Sequence, residues 1–235
     1  MKNIILISML FNFAFGQYDR CNTGETASVE GCDFSNGKNR EALNWFFASG
    51  DERNARNANF SGINFIEDMN GVNDFNLIDF SGSDFSGSVL APIAGNNNFS
   101  DANFSGAMHF GDDGGGNIYS NATFDGATLR GDFRDATMTN ATFTSTNFVG
   151  GTVIANSNMQ GATFRDFRGD SGQLSIYYSF LENVTIEDSR EMEISIIGPV
   201  SYTHLRAHET REDRVCRRVG VKKMGGGGGG GGGGG

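Results

Sequence analysis

The chain has 235 residues, 37% of them hydrophobic, with 3 Cys and a formal net charge of −10. A surface this acidic repels nucleic acid and anionic membranes, so neither is an expected partner, while cationic partners, metal ions included, are favoured. Residues 1–16 read as a secretory leader: Lys2, an apolar run from Ile4 to Phe15, and Ala14-Phe15-Gly16 as a small-x-small cleavage site. The run is too short for a membrane span, and a retained interfacial anchor is the alternative. The expected location is secreted, periplasmic or at the cell surface. Cys21 lies beyond the cut, so no lipid attachment at the cut is expected.

Residues 17–56 form a polar segment and a cap. Once the tail is set aside with its Cys216, Cys21 and Cys32 remain as an even pair, and after a leader the default is a disulfide between them. No nearby His completes a metal-ligand set. A helix is predicted over residues 38–49, with Ser35 or Asn36 as N-cap and Gly50 as its stop. Ala42, Leu43, Phe46 and Phe47 share one face at i, i+3, i+4 spacing, suited to covering the first coil of whatever follows. Trp45 is expected in the core of that cap.

From residue 57 to residue 198 a large apolar residue recurs every fifth position, as in Phe60, Phe65, Phe75, Phe80 and Phe85. Two residues before many of them stands a small one, such as Ala58, Ser83, Ala102, Ala122, Ala141 and Ala162. A period of five fits neither a helix nor a flat strand; it fits a chain that turns a corner at each repeat. Four repeats per coil stack residues about twenty apart, which predicts a core ladder of Phe65, Phe85, Phe104, Phe124, Phe143 and Phe164. A neighbouring column runs through Phe60, Phe80, Phe99, Tyr119, Met138 and Met159. Leu90, His109, Leu129 and Phe148 form a third, with Phe133, Val153 and Leu174 in a fourth. Small residues are then a steric demand of a narrow square interior, and glycines such as Gly62, Gly106 and Gly126 fall where a tight turn needs positive φ.

Runs such as Ala58-Asn59-Phe60-Ser61-Gly62, Ala102-Asn103-Phe104-Ser105-Gly106 and Ala122-Thr123-Phe124-Asp125-Gly126 resemble the pentapeptide-repeat family. The resemblance covers roughly residues 57–164 and implies an all-β fold, a right-handed quadrilateral β-helix. It also implies one function, since some acidic members mimic B-DNA and bind the nucleic-acid enzyme gyrase. A leader would send this chain away from gyrase. The pattern is interrupted at Asn70, between Leu90 and Asn98, and between His109 and Asn117, and it weakens after Arg165.

Residues 199–235 look foreign. The stretch that begins at Val200, VSYTHLRAHET, resembles a one-frame translation of a sequencing-library adapter, and Gly225 to Gly235 is an unbroken glycine run. The tail is expected to be artefactual and disordered; a genuine basic tail with a glycine linker is the alternative. Between Gln17 and Gly198 there are 25 Asp and Glu against 10 Lys and Arg, a net charge of −15.

Chemistry is sparse along the repeats. His109 is the sole His outside the tail and falls in an inward column, where it reads as a repeat variant. Without another His or a Lys there is nothing to activate a serine nucleophile. Asp112 and Asp113 in the loop from Gly111 to Asn117 are weak candidates for Ca²⁺, without the spaced acids of a calcium loop. Asn64, Asp84, Asn103, Thr123, Thr142 and Thr163 are predicted to face outward on the six-Phe face, and their Thr residues suggest an ice-binding or glycan-facing surface as a lesser reading. Six Asn-x-Ser/Thr sequons, at Asn59, Asn98, Asn103, Asn121, Asn140 and Asn183, arise largely from the repeat itself. The expectation is a non-catalytic binding module for a protein, glycan or cation, without cofactor, and with a homodimer possible.

Overall fold

The computed structural model describes residue 21 and residues 28–48, 53–68, 75–91, 93–109, 111, 115–170, 174–187, 194–197, 206–208 and 220–222. The leader, Asp112 and Asp113, the proposed helix stop at Gly50 and most of the tail lie outside them.

The repeats wind into a parallel β-helix with four walls. On the first, Asn54 pairs with Asp79, and the column continues through Asn98, Ile118, Thr137, Asn158 and Phe180. On the second, Asp33 is followed by Asn59, Asp84, Asn103, Thr123, Thr142, Thr163 and Thr185. The third stacks Asn64, Val89, Met108, Thr128 and Asn147, and the fourth Asp132, Val153, Ser175 and Ser195. The residue after each of these is buried, because side chains alternate between the two faces of an extended chain.

Strand spacing of ~4.8 Å fixes what the buried rings can do. Up the second wall they lie nearly parallel: Phe85 on Phe104 at 5.1 Å, Phe104 on Phe124 at 4.9 Å, Phe124 on Phe143 at 5.0 Å and Phe143 on Phe164 at 4.5 Å. Phe80, Phe99 and Tyr119 stack likewise on the first wall. Rings on adjacent walls meet edge to face, as Phe99 meets Phe104. Each buried ring contributes about 1.5–3 kcal/mol by desolvation.

Two predicted columns need correction. Phe65 does not lie beneath Phe85; Phe60 does, at 4.9 Å, and Phe65 belongs to the third wall below Leu90. The lap from Asn59 to Asp84 is one repeat longer than the later ones, and a short helix, Phe65–Asp68, occupies part of the excess. Phe60 therefore leaves the first-wall column, where Ala55 sits below Phe80. On the fourth wall Ile154, not Val153, stacks on Phe133, and Ile176, not Leu174, follows it. Gly150 and Gly151 both have positive φ, and the step from Phe148 to Ile154 is one residue longer than the five-residue period, which turns Val153 outward.

Corners after the second wall follow two solutions, Gly-turned in the lower coils and Ser- or Asp-turned in the upper ones, with Thr123 before Gly126 at the change. In one, an outward Asn or Asp accepts the N–H two residues on, as Asp84 does from Ser86 at 2.9 Å and Asn103 from Ser105 at 3.0 Å, and glycine follows at positive φ. In the other the outward residue is Thr, a strand former, and a Ser or Asp such as Ser145 or Asp166 takes the positive φ. Asn and Asp substitute for glycine there because their short polar side chains tolerate the left-handed region.

The first coil is covered as the sequence suggests, with differences. The helix is Arg40–Ala48, entered from a 3₁₀ turn, Ser35–Gly37, so neither Ser35 nor Asn36 is its N-cap. Ala42, Leu43, Phe46 and Phe47 are buried, and Phe47 packs on Phe75 at 4.7 Å. Trp45 is 43% exposed rather than in the core, since it points away from the face those four residues define. Cys21 and Cys32 are joined in a disulfide. The Lys38 ammonium, 2.7 Å from Asp33, holds that carboxyl at about 2, helped by the Ser35 hydroxyl and N–H.

Arg53 fastens helix to coil. Its buried guanidinium donates to the carbonyls of Phe46 (3.1 Å), Phe47 (3.0 Å) and Asn76 (3.1 Å) and lies 5.6 Å from the centre of the Phe46 ring. A cation at a helix C-terminus also complements the dipole. Arg53→Ala leaves buried carbonyls without donors and is expected to cost about 2–3 kcal/mol. Urea denaturation checks this, and an unchanged midpoint would refute the anchoring role.

Two strands fall within the tail read as disordered. Arg206–His208 pairs with Thr185–Glu187, and Gly220–Lys222 with Ile194–Ile197. The pairing is through backbone groups, which any extended segment offers whatever its side chains.

Candidate functional site

Outside the core, the β-helix offers ordered polar columns and one unusual corner. Columns on the first and second walls are cross-linked from coil to coil. Asn98 donates to the Asp79 carboxylate and Asn103 to that of Asp84, each at 3.1 Å. Asn121 donates to Asp101 at 3.0 Å on the corner between those walls. Such ladders hold outward groups at strand spacing and present hydroxyls, amides and carboxylates in regular rows. The outward Thr column has four members, Thr123, Thr142, Thr163 and Thr185. Beside it stand Thr144, Arg165 and Glu187, the last two an ion pair at 2.8 Å, so the second wall is mixed in charge.

The unusual corner joins the third and fourth walls. His109, wholly buried on the third wall, accepts the Gly111 N–H at Nδ1 (3.1 Å), which leaves its proton on Nε2 to be donated to the Tyr119 hydroxyl oxygen at 3.0 Å. Burial pushes this imidazole down from 6.5 to about 3. It is a neutral core group locked by two partners, remote from solvent, and in no position to act as a general base.

Gly111, at φ +89°, is pressed against the coil above. A Cβ there would meet the Asp132 amide nitrogen at 2.9 Å and the Arg130 and Asp132 carbonyl oxygens at 3.0 Å. Gly111→Ala is therefore expected to cost about 2 kcal/mol through strain alone; thermal unfolding reads it, and a wild-type midpoint would show that the contact is not tight. From the other side, a Cβ on Gly150 would meet Nε of Arg130 at 3.1 Å. The backbone from Arg130 to Asp132 thus rests on Gly111 of the coil below, while the Arg130 side chain runs against Gly150 of the coil above. Within that segment Gly131 has φ +97°, Arg130 is exposed, and Asp132 is 43% exposed with its carboxylate 2.6 Å from the Arg134 guanidinium.

Sequence reasoning placed His109 inward but missed its partners, because nothing in the repeat links it to Tyr119. It also missed Asn97 and Asn117, both buried where the pattern calls for Ala or Ser. Asn117 Oδ1 accepts the Asn97 N–H at 2.8 Å, and Asn97 Oδ1 accepts the Ile78 N–H at 3.0 Å, so these amides splice a corner whose turn geometry leaves N–H groups unpaired. The interruption of the repeat from Leu90 to Asn98 is the signal that could have found them. Asp112 and Asp113 lie outside the described residues. Among the described residues no group of three or more metal-ligating side chains occurs, and no helix is long and apolar enough to cross a membrane.

No family model matches the sequence, and no curated protein matches it. Several solved structures are similar to it. The pentapeptide-repeat protein HetL from the cyanobacterium Nostoc sp. strain PCC 7120, involved in heterocyst differentiation regulation, is 15% identical over 61% of this chain, with a TM-score of 0.25. This chain spans 62% of the length of that protein. QnrB1, a plasmid-mediated fluoroquinolone resistance protein, is 13% identical over 77% of this chain and 80% of its own, with a TM-score of 0.24. Rfr23, a pentapeptide-repeat protein from the cyanobacterium Cyanothece 51142, is 13% identical over 84% of this chain and 99% of its own, with a TM-score of 0.18.

Proposed function

We propose that this pentapeptide-repeat β-helix is a non-catalytic structural or binding module, exported from the cell, that offers its polar walls to a protein, glycan or cation partner. The observation that carries the reading is the division of labour across each strand. Inward residues fill the core and outward ones are bonded to their counterparts a coil away, as in Asn98 with Asp79 and Asn103 with Asp84. The sole imidazole of the repeats is buried and neutral. Rows of this kind suit multivalent recognition, in which many weak contacts at fixed spacing add up.

The test is a broad turnover screen on the purified protein, run beside binding to arrays of glycans and extracellular proteins. Saturable binding without turnover is expected. Reproducible conversion of any substrate, abolished by substitutions at surface carboxylates, would overturn the reading. A second reading, an acidic mimic of DNA bound by gyrase, is favoured by the net charge of −15 between Gln17 and Gly198. Inhibition of supercoiling by the purified protein would support it, and unimpeded supercoiling would remove it.

A further inference from the structure

The unusual corner carries the tripeptide Arg130-Gly131-Asp132, and the chain repeats it as Arg168-Gly169-Asp170. We infer that the first copy is a docking site for a metal-dependent adhesion receptor, one that reads a guanidinium and a carboxylate on either side of a glycine. The inference rests on the reading of the chain as an exported binding module and supplies its class of partner.

Three observations place the site at this copy. First, the recognised groups are accessible: Arg130 is exposed, and the Asp132 carboxylate is half-exposed at a convex corner where two walls meet. Arg134, itself 55% exposed, holds one carboxylate oxygen, Oδ2, through Nε at 3.0 Å and Nη2 at 2.6 Å, which aims the carboxylate and leaves Oδ1 for a partner. Second, the backbone has the needed form. Gly131 at φ +97° takes a conformation that a side chain would strain, so the residue between the two charges has to be glycine. Two residues of chain set the Cα atoms of Arg130 and Asp132 at most roughly 7 Å apart.

Third, the corner is held in place. Gly111 abuts the backbone of Arg130 and Asp132 from the coil below, and both ends of the tripeptide pair with the coil above, Arg130 with Val149 and Asp132 with Val153. Gly111 is itself tied to His109 and, through its carbonyl, to Ile93 N–H at 3.0 Å. A loop carrying the same tripeptide would have to be ordered on binding; this one is ordered already, and binding is spared that cost. The register shifts across it, a β-bulge in which only Gly131 lies between the paired residues of this coil, against Gly150, Gly151 and Thr152 in the coil above.

The chemistry asked of the partner follows. A carboxylate oxygen is a hard ligand suited to complete the coordination of a bound Mg²⁺, Mn²⁺ or Ca²⁺, and a guanidinium is matched by paired acids in bidentate geometry. Arg168-Gly169-Asp170 forms a strand paired to Asn147–Val149, which puts Asp170 in the same column as Arg130 with Val149 between them. It is a flat rung of the third wall rather than a corner, so the first copy is the one presented.

Attachment of cells bearing such receptors to surfaces coated with the full chain tests this. Attachment is expected in Mn²⁺, lost with EDTA, and competed by a soluble Arg-Gly-Asp peptide. Asp132→Glu, which keeps the charge and lengthens the arm, is expected to raise the half-maximal coating concentration at least about tenfold, while Asp125→Glu on another corner and Asp170→Glu leave it unchanged. Circular dichroism and the melting midpoint report that each variant is folded, and direct competition by soluble protein for purified receptor repeats the comparison without a surface. No attachment, attachment indifferent to EDTA, or loss with Asp170→Glu instead of Asp132→Glu each overturns the assignment. These outcomes leave the turnover screen untouched, so failure here is distinct from failure of the module reading.

Discussion

Phe124→Ala is expected to cost about 3–5 kcal/mol, among the largest effects of any single substitution in the repeats. Phe124 is wholly buried and lies flat between Phe104 at 4.9 Å and Phe143 at 5.0 Å, with the Tyr119 ring 5.7 Å away at the adjacent wall. Its neighbours cannot close the gap, because hydrogen bonds such as Phe124 N–H to the Thr142 carbonyl at 2.8 Å fix the rise per coil. The cavity therefore persists, and the cavity term adds to the lost transfer energy. A coil-by-coil fold passes such a defect on only to adjacent coils. Hydrogen exchange should thus show protection lost first in the two strands flanking Phe124 and only later at Phe85 or the helical cap. A uniform loss, or a cost under about 1 kcal/mol, would contradict a rigid stacked column.

The second large effect is acid instability centred on His109. In the folded chain the imidazole is depressed from 6.5 to about 3. The unfolded chain therefore binds a proton below pH 6.5 that the folded chain refuses until pH falls to about 3. Stability is full above 6.5, is lost as pH drops through that window, and is down by about 3 kcal/mol at pH 4.5. Asp33, held at about 2 by Lys38 and Ser35, adds a smaller loss of the same sign below its ordinary 3.8. Denaturation at pH 7 and pH 4.5 measures the drop. His109→Gln, which titrates nowhere in that range, is expected to start less stable and to lose far less between the two. If wild type and variant fall in parallel, His109 is not the group responsible.

Much of the architecture is legible in the residues themselves. Five-residue spacing of Phe60, Phe80 and Phe85, with Ala or Ser two before, leaves one geometry in which all the rings are inside. What the spacing cannot give is the phase of a column across an irregular lap. Phe65 and Phe60 are equally good inward residues, and which of them lies beneath Phe85 depends on a longer lap that only three-dimensional pairing reveals. Val153 and Ile154 pose the same problem, settled by a two-glycine corner. Trp45 is a simpler case: the face set by Ala42, Leu43, Phe46 and Phe47 already excludes it from the core of the cap. The candidate site was harder still. Arg130, Gly131 and Asp132 are adjacent in sequence, but the glycines against which they pack, Gly111 on the backbone and Gly150 on the Arg130 side chain, are about a lap away in either direction. Nothing local announces that contact.

Alanines at matched places on successive laps have a practical corollary. Ala141 and Ala162 stand at the same point of the cross-section, one floor apart, since Thr142 pairs with Thr163 and Phe143 lies on Phe164. Excising residues 142–162 would splice Ala141 to Thr163 and set Phe164 down upon Phe124, like with like, every hydrogen-bonding row still facing a complementary one. Nature and the engineer alike can thus shorten or extend such a tower by whole floors, tuning its reach without redrawing its plan.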